Sequence, residues 1–176
     1  LNAAIDERSA RIVREGLRVA LCGRPNAGKS TLFNALLGEE KAIVTAIPGT
    51  TRDVLEGSFT LDGCRVLLSD TAGLRDSEDV VEQIGVERAR KTLQEADVAL
   101  LVVDASQPLA DEDRELLSSP LDCPCVTLLN KQDAAIITPE DAAALNAPAP
   151  ILSLSAKTGE GLDRVQDYLR SQLKAP

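Results

Sequence analysis

The 176 residues contain no histidine, no methionine and no tryptophan, with two phenylalanines and one tyrosine. Without an imidazole, any general base, metal ligand or pH switch must come from carboxylates, hydroxyls, amides or lysine. Basic charge is also scarce. Nineteen Lys and Arg against 28 Asp and Glu leave a net charge of −9, which argues against direct nucleic-acid binding by this segment, since that needs a basic surface. No apolar run approaches the length of a membrane span, and the N-terminus lacks a signal-peptide pattern. The four cysteines, Cys22, Cys64, Cys123 and Cys125, lack metal-ligand spacing and sit in apolar stretches. They read as buried, reduced thiols in a cytoplasmic protein. The chain opens at Leu1 and has no methionine, which reads as an excised domain or processed fragment. A hydrophobic content of 44% and a charged content of 27% fit one ordinary globular domain of this length.

Strand-like apolar runs alternate with helical patterns, the signature of an α/β fold around a mainly parallel sheet. The strand candidates are Leu17–Cys22, Leu55–Leu61, Cys64–Ser69, Val98–Val103, Cys125–Leu129 and Ile151–Leu154. Asp62-Gly63 predicts a tight hairpin between the second and third, which makes that pair antiparallel. Helical spacing marks Val86, Ala89, Leu93 and Ala96, and again Leu162, Val165, Leu169 and Leu173. Residues 1–16 predict a short amphipathic helix with Ile5 and Ile12 on one face and Gly16 as its stop. Residues 39–53 predict a long irregular connection, and loops of that size usually serve function.

Gly23-Arg24-Pro25-Asn26-Ala27-Gly28-Lys29-Ser30-Thr31 follows a strand and opens a helix. That context makes the glycine-rich pattern a P-loop. Its backbone N–H groups and the helix N-terminus suit phosphates, Lys29 suits the β- and γ-phosphates, and the Ser30 hydroxyl suits Mg²⁺.

Asn130-Lys131-Gln132-Asp133 follows the apolar run Cys125–Leu129, where open parallel sheets place ligands. The Asp133 carboxylate matches the N1–H and 2-amino donors of guanine. Adenine has neither, and leaving such a carboxylate unpaired can discriminate by roughly 10⁴-fold or more. Downstream, Ser155-Ala156-Lys157 offers backbone N–H to the guanine O6. GTP and GDP are therefore the expected ligands.

Asp70-Thr71-Ala72-Gly73 ends another strand candidate. Asp70 is the second expected Mg²⁺ group, and the Gly73 N–H would sense the γ-phosphate. Gly49-Thr50-Thr51-Arg52-Asp53 lies in the long connection, where a switch threonine, Thr51 in preference to Thr50, would complete the metal shell. Leu74 follows the Asp-x-x-Gly motif and cannot orient water. The carboxylates Asp76, Glu78, Asp79 and Glu82 are the nearby candidates for that task.

These motifs resemble the GTPase domain of the MnmE (TrmE) family, the tRNA-modification GTPases. The similarity runs from the P-loop through Ala42-Ile43-Val44-Thr45, Gly49–Asp53 and Asp70–Arg75 to Val81-Glu82-Gln83-Ile84-Gly85-Val86-Glu87-Arg88-Ala89. Most of it is shared with the ribosome-assembly GTPases Der and Era; the last stretch favours MnmE. The resemblance implies a Ras-like P-loop GTPase fold, a three-layer sandwich with a six-stranded mainly parallel sheet and one antiparallel edge strand. It implies a G domain over 17–176, with 1–16 the end of a helical domain. It also implies Glu82 as the catalytic, water-orienting glutamate beside Lys29 and Gly73. A potassium ion would be held by Asn26 and by carbonyls of Thr45 and Ile47. The implied partners are a second G domain, the MnmG flavoprotein and tRNA, the last two through the full-length protein. Ala46 departs from the family's usual aspartate.

Overall fold

The computed structural model describes residues 10–23, 28–38, 43–46, 55–70, 94–118 and 123–174, with backbone alone at 30, 43–46, 55, 56, 70, 112 and 174. Helix α1 covers residues 10–15, followed by β1 (Leu17–Cys22), α2 (Lys29–Leu37), β2 (Ile43–Ala46), β3 (Leu55–Leu61) and β4 (Cys64–Asp70). Then come β5 (Val98–Asp104), α3 (Asp111–Ser118), β6 (Cys125–Asn130), α4 (Pro139–Ala144), β7 (Ile151–Ser153) and α5 (Leu162–Lys174). The helical spacing at Val86, Ala89 and Leu93 lies outside the described residues, as does Ile5.

The strands form one sheet in the order β2-β3-β4-β1-β5-β6-β7. β1 pairs in parallel with both β4 and β5, and β6 in parallel with β5 and β7. β3 is antiparallel to β4 and to β2. All six strands read from the sequence are present, and β3 is the antiparallel one. The sheet nonetheless has seven strands, and β3 is not its edge. Four residues inside the stretch expected to be irregular, Ile43–Ala46, pair outside it (Val44 opposite Gly57) and become the edge strand. Two β-branched aliphatics and a threonine favour that conformation, but four residues are too few to announce a strand by alternation.

Period-two burial builds the core on both faces of the sheet. Every residue of β5 is buried, as a parallel strand covered on both sides requires. Val98, Leu100 and Val102 join one cluster with Leu32, Phe33 and Leu36 of α2, Val165 and Leu169 of α5, and Ile12 of α1. Ala99, Leu101 and Val103 join the opposite cluster with Leu117 of α3 and Ala142 of α4. The result is three layers. Gly57 faces α2, and a Cβ there would fall 2.6 Å from Leu37 Cδ1, so the missing side chain lets the helix sit down on β3.

Both turn glycines behave as the sequence predicts. Asp62 and Gly63 have φ of 51° and 80°, the positive pair a two-residue I′ hairpin demands. Gly16 ends α1 at φ 100°, its N–H donating to the Ile12 carbonyl at 2.8 Å. The cysteines are free, but only Cys22 is buried and the other three are half-buried. The Cys125 thiol donates to the Cys123 carbonyl at 3.2 Å. The neighbouring Cys123 thiol and then burial push its pKa far above the usual range. Among the described residues no helix is long and apolar enough to cross a membrane.

Candidate functional site

Because β1, β4, β5, β6 and β7 run the same way, their carboxyl ends lie along one edge of the sheet. The chain leaves β1 toward β4 on one side and later fills β5 to β7 on the other. The end of β1 is therefore the topological switch point, where open α/β sheets place ligands.

The loop after β1 needs glycine at both ends. Gly23 has φ 143°, and a Cβ on it would run into the Val102 carbonyl of β5. Gly28 caps α2 in the left-handed region, φ 90° and ψ 23°, and no side chain caps the helix. The N-terminus of α2 carries the positive end of the helix dipole, which favours an anion there. Lys29, the first helical residue, is 1% exposed.

Asn130 joins this end of the site to the next. It ends β6 and is 2% exposed. A Cβ on Gly28 would collide with its Nδ2, and its Oδ1 accepts from the Ala156 N–H at 3.0 Å. One buried amide therefore touches both the glycine-rich motif and the segment after β7, although Gly28 and Ala156 lie 128 positions apart in the sequence. Lys131 then turns the chain at φ 66° into the short 3₁₀ turn Gln132–Ala134. The Gln132 N–H donates to the Leu154 carbonyl at 3.0 Å, and the exposed Asp133 accepts from the Ser155 hydroxyl at 3.1 Å.

Ser155 is itself buried and closes its own loop. Its N–H donates to the Glu160 carbonyl at 2.8 Å, its carbonyl accepts from Gly159 at 2.8 Å, and its Oγ accepts from Thr158 N–H at 3.3 Å. The Ala156 N–H, one of the donors expected to face O6, is taken by Asn130 in this structure. Lys157 is exposed.

Asp104, which no motif flags, is the buried acid of this edge. It ends β5 at 2% exposure. Its Oδ2 accepts from Lys131 Nζ at 3.0 Å, and its Oδ1 from the Ser106 N–H at 2.8 Å and the Ser106 hydroxyl at 2.5 Å. Burial pushes this carboxyl up, but the Ser106 hydroxyl, Lys131 and the Ser106 N–H outweigh it and hold the pKa below the usual value. The only signal in the sequence is an aspartate closing an apolar run, which also describes an ordinary strand end.

The structure thus brings together Gly28, Lys29, Asn130, Lys131, Asp133, Ser155, Ala156 and Lys157. Asp70 ends β4 beside Leu21 of β1, and Ser30 lies in the first turn of α2, so their backbones converge on the same edge. Thr31 is on the exposed side of α2. Thr45 lies in β2 opposite Glu56, on the edge strand two strands away from β4. Asn26, Ala27, Ile47, Thr50, Thr51, Gly73, Asp76, Glu78, Asp79 and Glu82 lie outside the described residues.

Residues 18–131 match the family model described as 50S ribosome-binding GTPase. The chain is 48% identical over 165 residues to the tRNA modification GTPase MnmE of Heliobacterium modesticaldum, covering 93% of this chain and 35% of that protein. It is 47% identical over 170 residues to MnmE of Streptococcus thermophilus, covering 96% and 36%. It therefore spans about a third of the length of these relatives. Among solved structures it resembles Aquifex aeolicus Era bound to GDP and AlF4−, at TM-score 0.70 and 31% identity, covering 90% of this chain and 57% of that one. It also resembles the G domain of the T. maritima FeoB iron transporter, at TM-score 0.66 and 30% identity, covering 90% and 99%.

Proposed function

We propose that the chain, which belongs to the 50S ribosome-binding GTPase family, is the GTP-hydrolysing G domain of a potassium-activated tRNA-modification GTPase. GTP hydrolysis is the activity of the family. The observation that carries the reading of the site is the Asn130 side chain, wedged between Gly28 and the Ala156 N–H. It brings Gly28 of the glycine-rich motif and the segment after β7 to one edge of the sheet. The MnmE relatives, at 45–48% identity over nine-tenths of the chain, support the assignment to tRNA modification; a second G domain as partner of this one, and MnmG and tRNA reached through the longer protein, rest on the family resemblance.

In this reading the N–H groups at the start of α2 and Lys29 hold the β- and γ-phosphates, and Asp133 accepts from guanine. A hydroxyl at Ser30 and a carboxylate at Asp70 are hard oxygen donors of the kind Mg²⁺ takes, joined by Thr51. Bound there, Mg²⁺ would neutralise charge on the phosphates. Gly73 would report the γ-phosphate through its N–H, and Glu82 would orient the attacking water in place of the missing glutamine at Leu74. Asn26, with carbonyls of Thr45 and Ile47, would hold potassium against the developing charge. Those potassium and water-orienting assignments rest on the family resemblance.

The test is hydrolysis in potassium against sodium at equal ionic strength. Faster turnover in potassium, with an aluminium fluoride complex that dimerises only in potassium, is the expected result, and Asn26→Ala should erase the difference. Equal rates and no dimer in either ion would reject the potassium reading. The description of the family and the likeness to Era favour a second reading, a ribosome-binding GTPase. Sedimentation of the full-length protein with the large ribosomal subunit, in place of tRNA modification, would establish it.

A further inference from the structure

We propose that Asp104 is a positioning residue for guanine recognition, acting through Lys131. The inference rests on reading the Asn130–Asp133 turn as the guanine loop, and it adds a residue that no motif of that site contains.

Asp104 stands on β5, and the loop it serves leaves β6. Three backbone hydrogen bonds join the end of β5 to the chain just before and just after that loop. The Ala105 N–H donates to the Asn130 carbonyl at 2.9 Å, and the Ile136 and Ile137 N–H groups donate to the Ala105 carbonyl at 2.7 and 3.0 Å. The backbone between those anchors, residues 131–135, is the segment that carries Asp133. It has to turn sharply, and it does so at Lys131, a non-glycine residue at φ 66°. A lysine has no side-chain acceptor with which to favour that conformation locally, unlike asparagine or aspartate. The ion pair to Asp104 supplies a tether instead. Lys131 is 39% exposed at its side chain while its partner is 1% exposed, so the fixed end of the pair is the aspartate in the strand. Ser106 holds that aspartate by two further bonds. The order of support therefore runs from the sheet through Asp104 to Lys131, and from there to the turn bearing Asp133. Removing the charge at Asp104 should loosen the turn while leaving the phosphate loop, which hangs from β1 and α2, in place.

This predicts a loss confined to what Asp133 reads. Inosine diphosphate keeps the N1–H of guanine but lacks the 2-amino group, so the ratio of GDP to IDP affinity reports on the carboxylate's placement. Asp104→Asn keeps the shape and hydrogen-bonding capacity at Ser106 and removes the charge facing Lys131. In equilibrium titrations it should weaken GDP by about tenfold or more while changing IDP less, the scale of one charge-assisted hydrogen bond. Lys131→Met should do the same, and the double variant should be no worse than Lys131→Met alone, since both act through one contact. A purely structural Asp104 would weaken GDP and IDP equally, or add its loss to that of Lys131→Met; either result overturns the proposal, as does an unchanged GDP affinity in Asp104→Asn. The unmodified chain is titrated first with GDP and ADP. Equal affinities there would reject the guanine site itself, whereas guanine preference with an indifferent Asp104→Asn rejects only the role of Asp104.

Discussion

Replacing Gly28 with alanine tests whether the glycine-rich loop and the Asn130 turn form a single site. At φ 90° and ψ 23°, alanine in this left-handed region costs about 1–2 kcal/mol. The new Cβ would also occupy the space of the Asn130 amide nitrogen. Asn130 is almost fully buried, and it cannot withdraw without giving up the 3.0 Å bond from Ala156. A buried hydrogen bond lost in that way costs about 1–3 kcal/mol. The second penalty, about 1–3 kcal/mol, falls on the geometry offered to nucleotide, and its lower bound corresponds to about fivefold in affinity. Gly63→Ala separates the two contributions. Gly63 shares the positive φ, 80°, has nothing within 4 Å of an added Cβ, and lies in the hairpin at the opposite end of β4. Thermal unfolding and titration with a fluorescent GDP analogue should show Gly63→Ala losing stability but binding normally. Gly28→Ala should bind at least about fivefold more weakly. If Gly28→Ala binds within about threefold of the parent, or if Gly63→Ala loses affinity equally, the single-site argument fails.

Three further outcomes follow from named residues. Asp133→Asn reverses the donor–acceptor pattern offered to the base, so GTP should bind more weakly and xanthosine triphosphate more tightly in competition titrations. Glu82→Ala should leave GTP affinity nearly unchanged while lowering single-turnover hydrolysis by roughly 10² or more; unchanged hydrolysis would remove Glu82 from the reaction. Asp104 has a folded-state pKa below its ordinary value of 3.8. Its contribution to stability is therefore complete above that value and lost as pH falls through the folded-state pKa. Acid unfolding should be steeper below pH 3.8 in the parent than in Asp104→Asn, and superimposable acid limbs would count against that ion pair.

What was legible in the sequence follows from what physical signals are local. Val98–Val103 announces a buried strand because both of its faces are apolar, and Asp62-Gly63 announces a hairpin because few other pairs tolerate two positive φ angles. The P-loop and the Asn-Lys-x-Asp turn are legible because their chemistry sits in consecutive residues. Ile43–Ala46 was not, since its strand character comes from pairing with β3, more than ten residues away in sequence at most of its partners. Asp104 was hidden for the same reason: its partner Lys131 lies 27 residues on, and neither neighbour of Asp104 belongs to a nucleotide motif. The contact between Gly28 and Asn130 is of this kind too. Each end was recognised, but their meeting exists only in three dimensions.

The central claim, one guanine site that hydrolyses its nucleotide, is tested most directly by phosphate release from GTP and from ATP, each with Mg²⁺ and potassium present. The account predicts steady release from GTP and a specificity for GTP over ATP, in kcat/KM, approaching roughly 10⁴, with Asp133→Asn reducing that ratio. Equal release from the two nucleotides, or none from GTP, would contradict it.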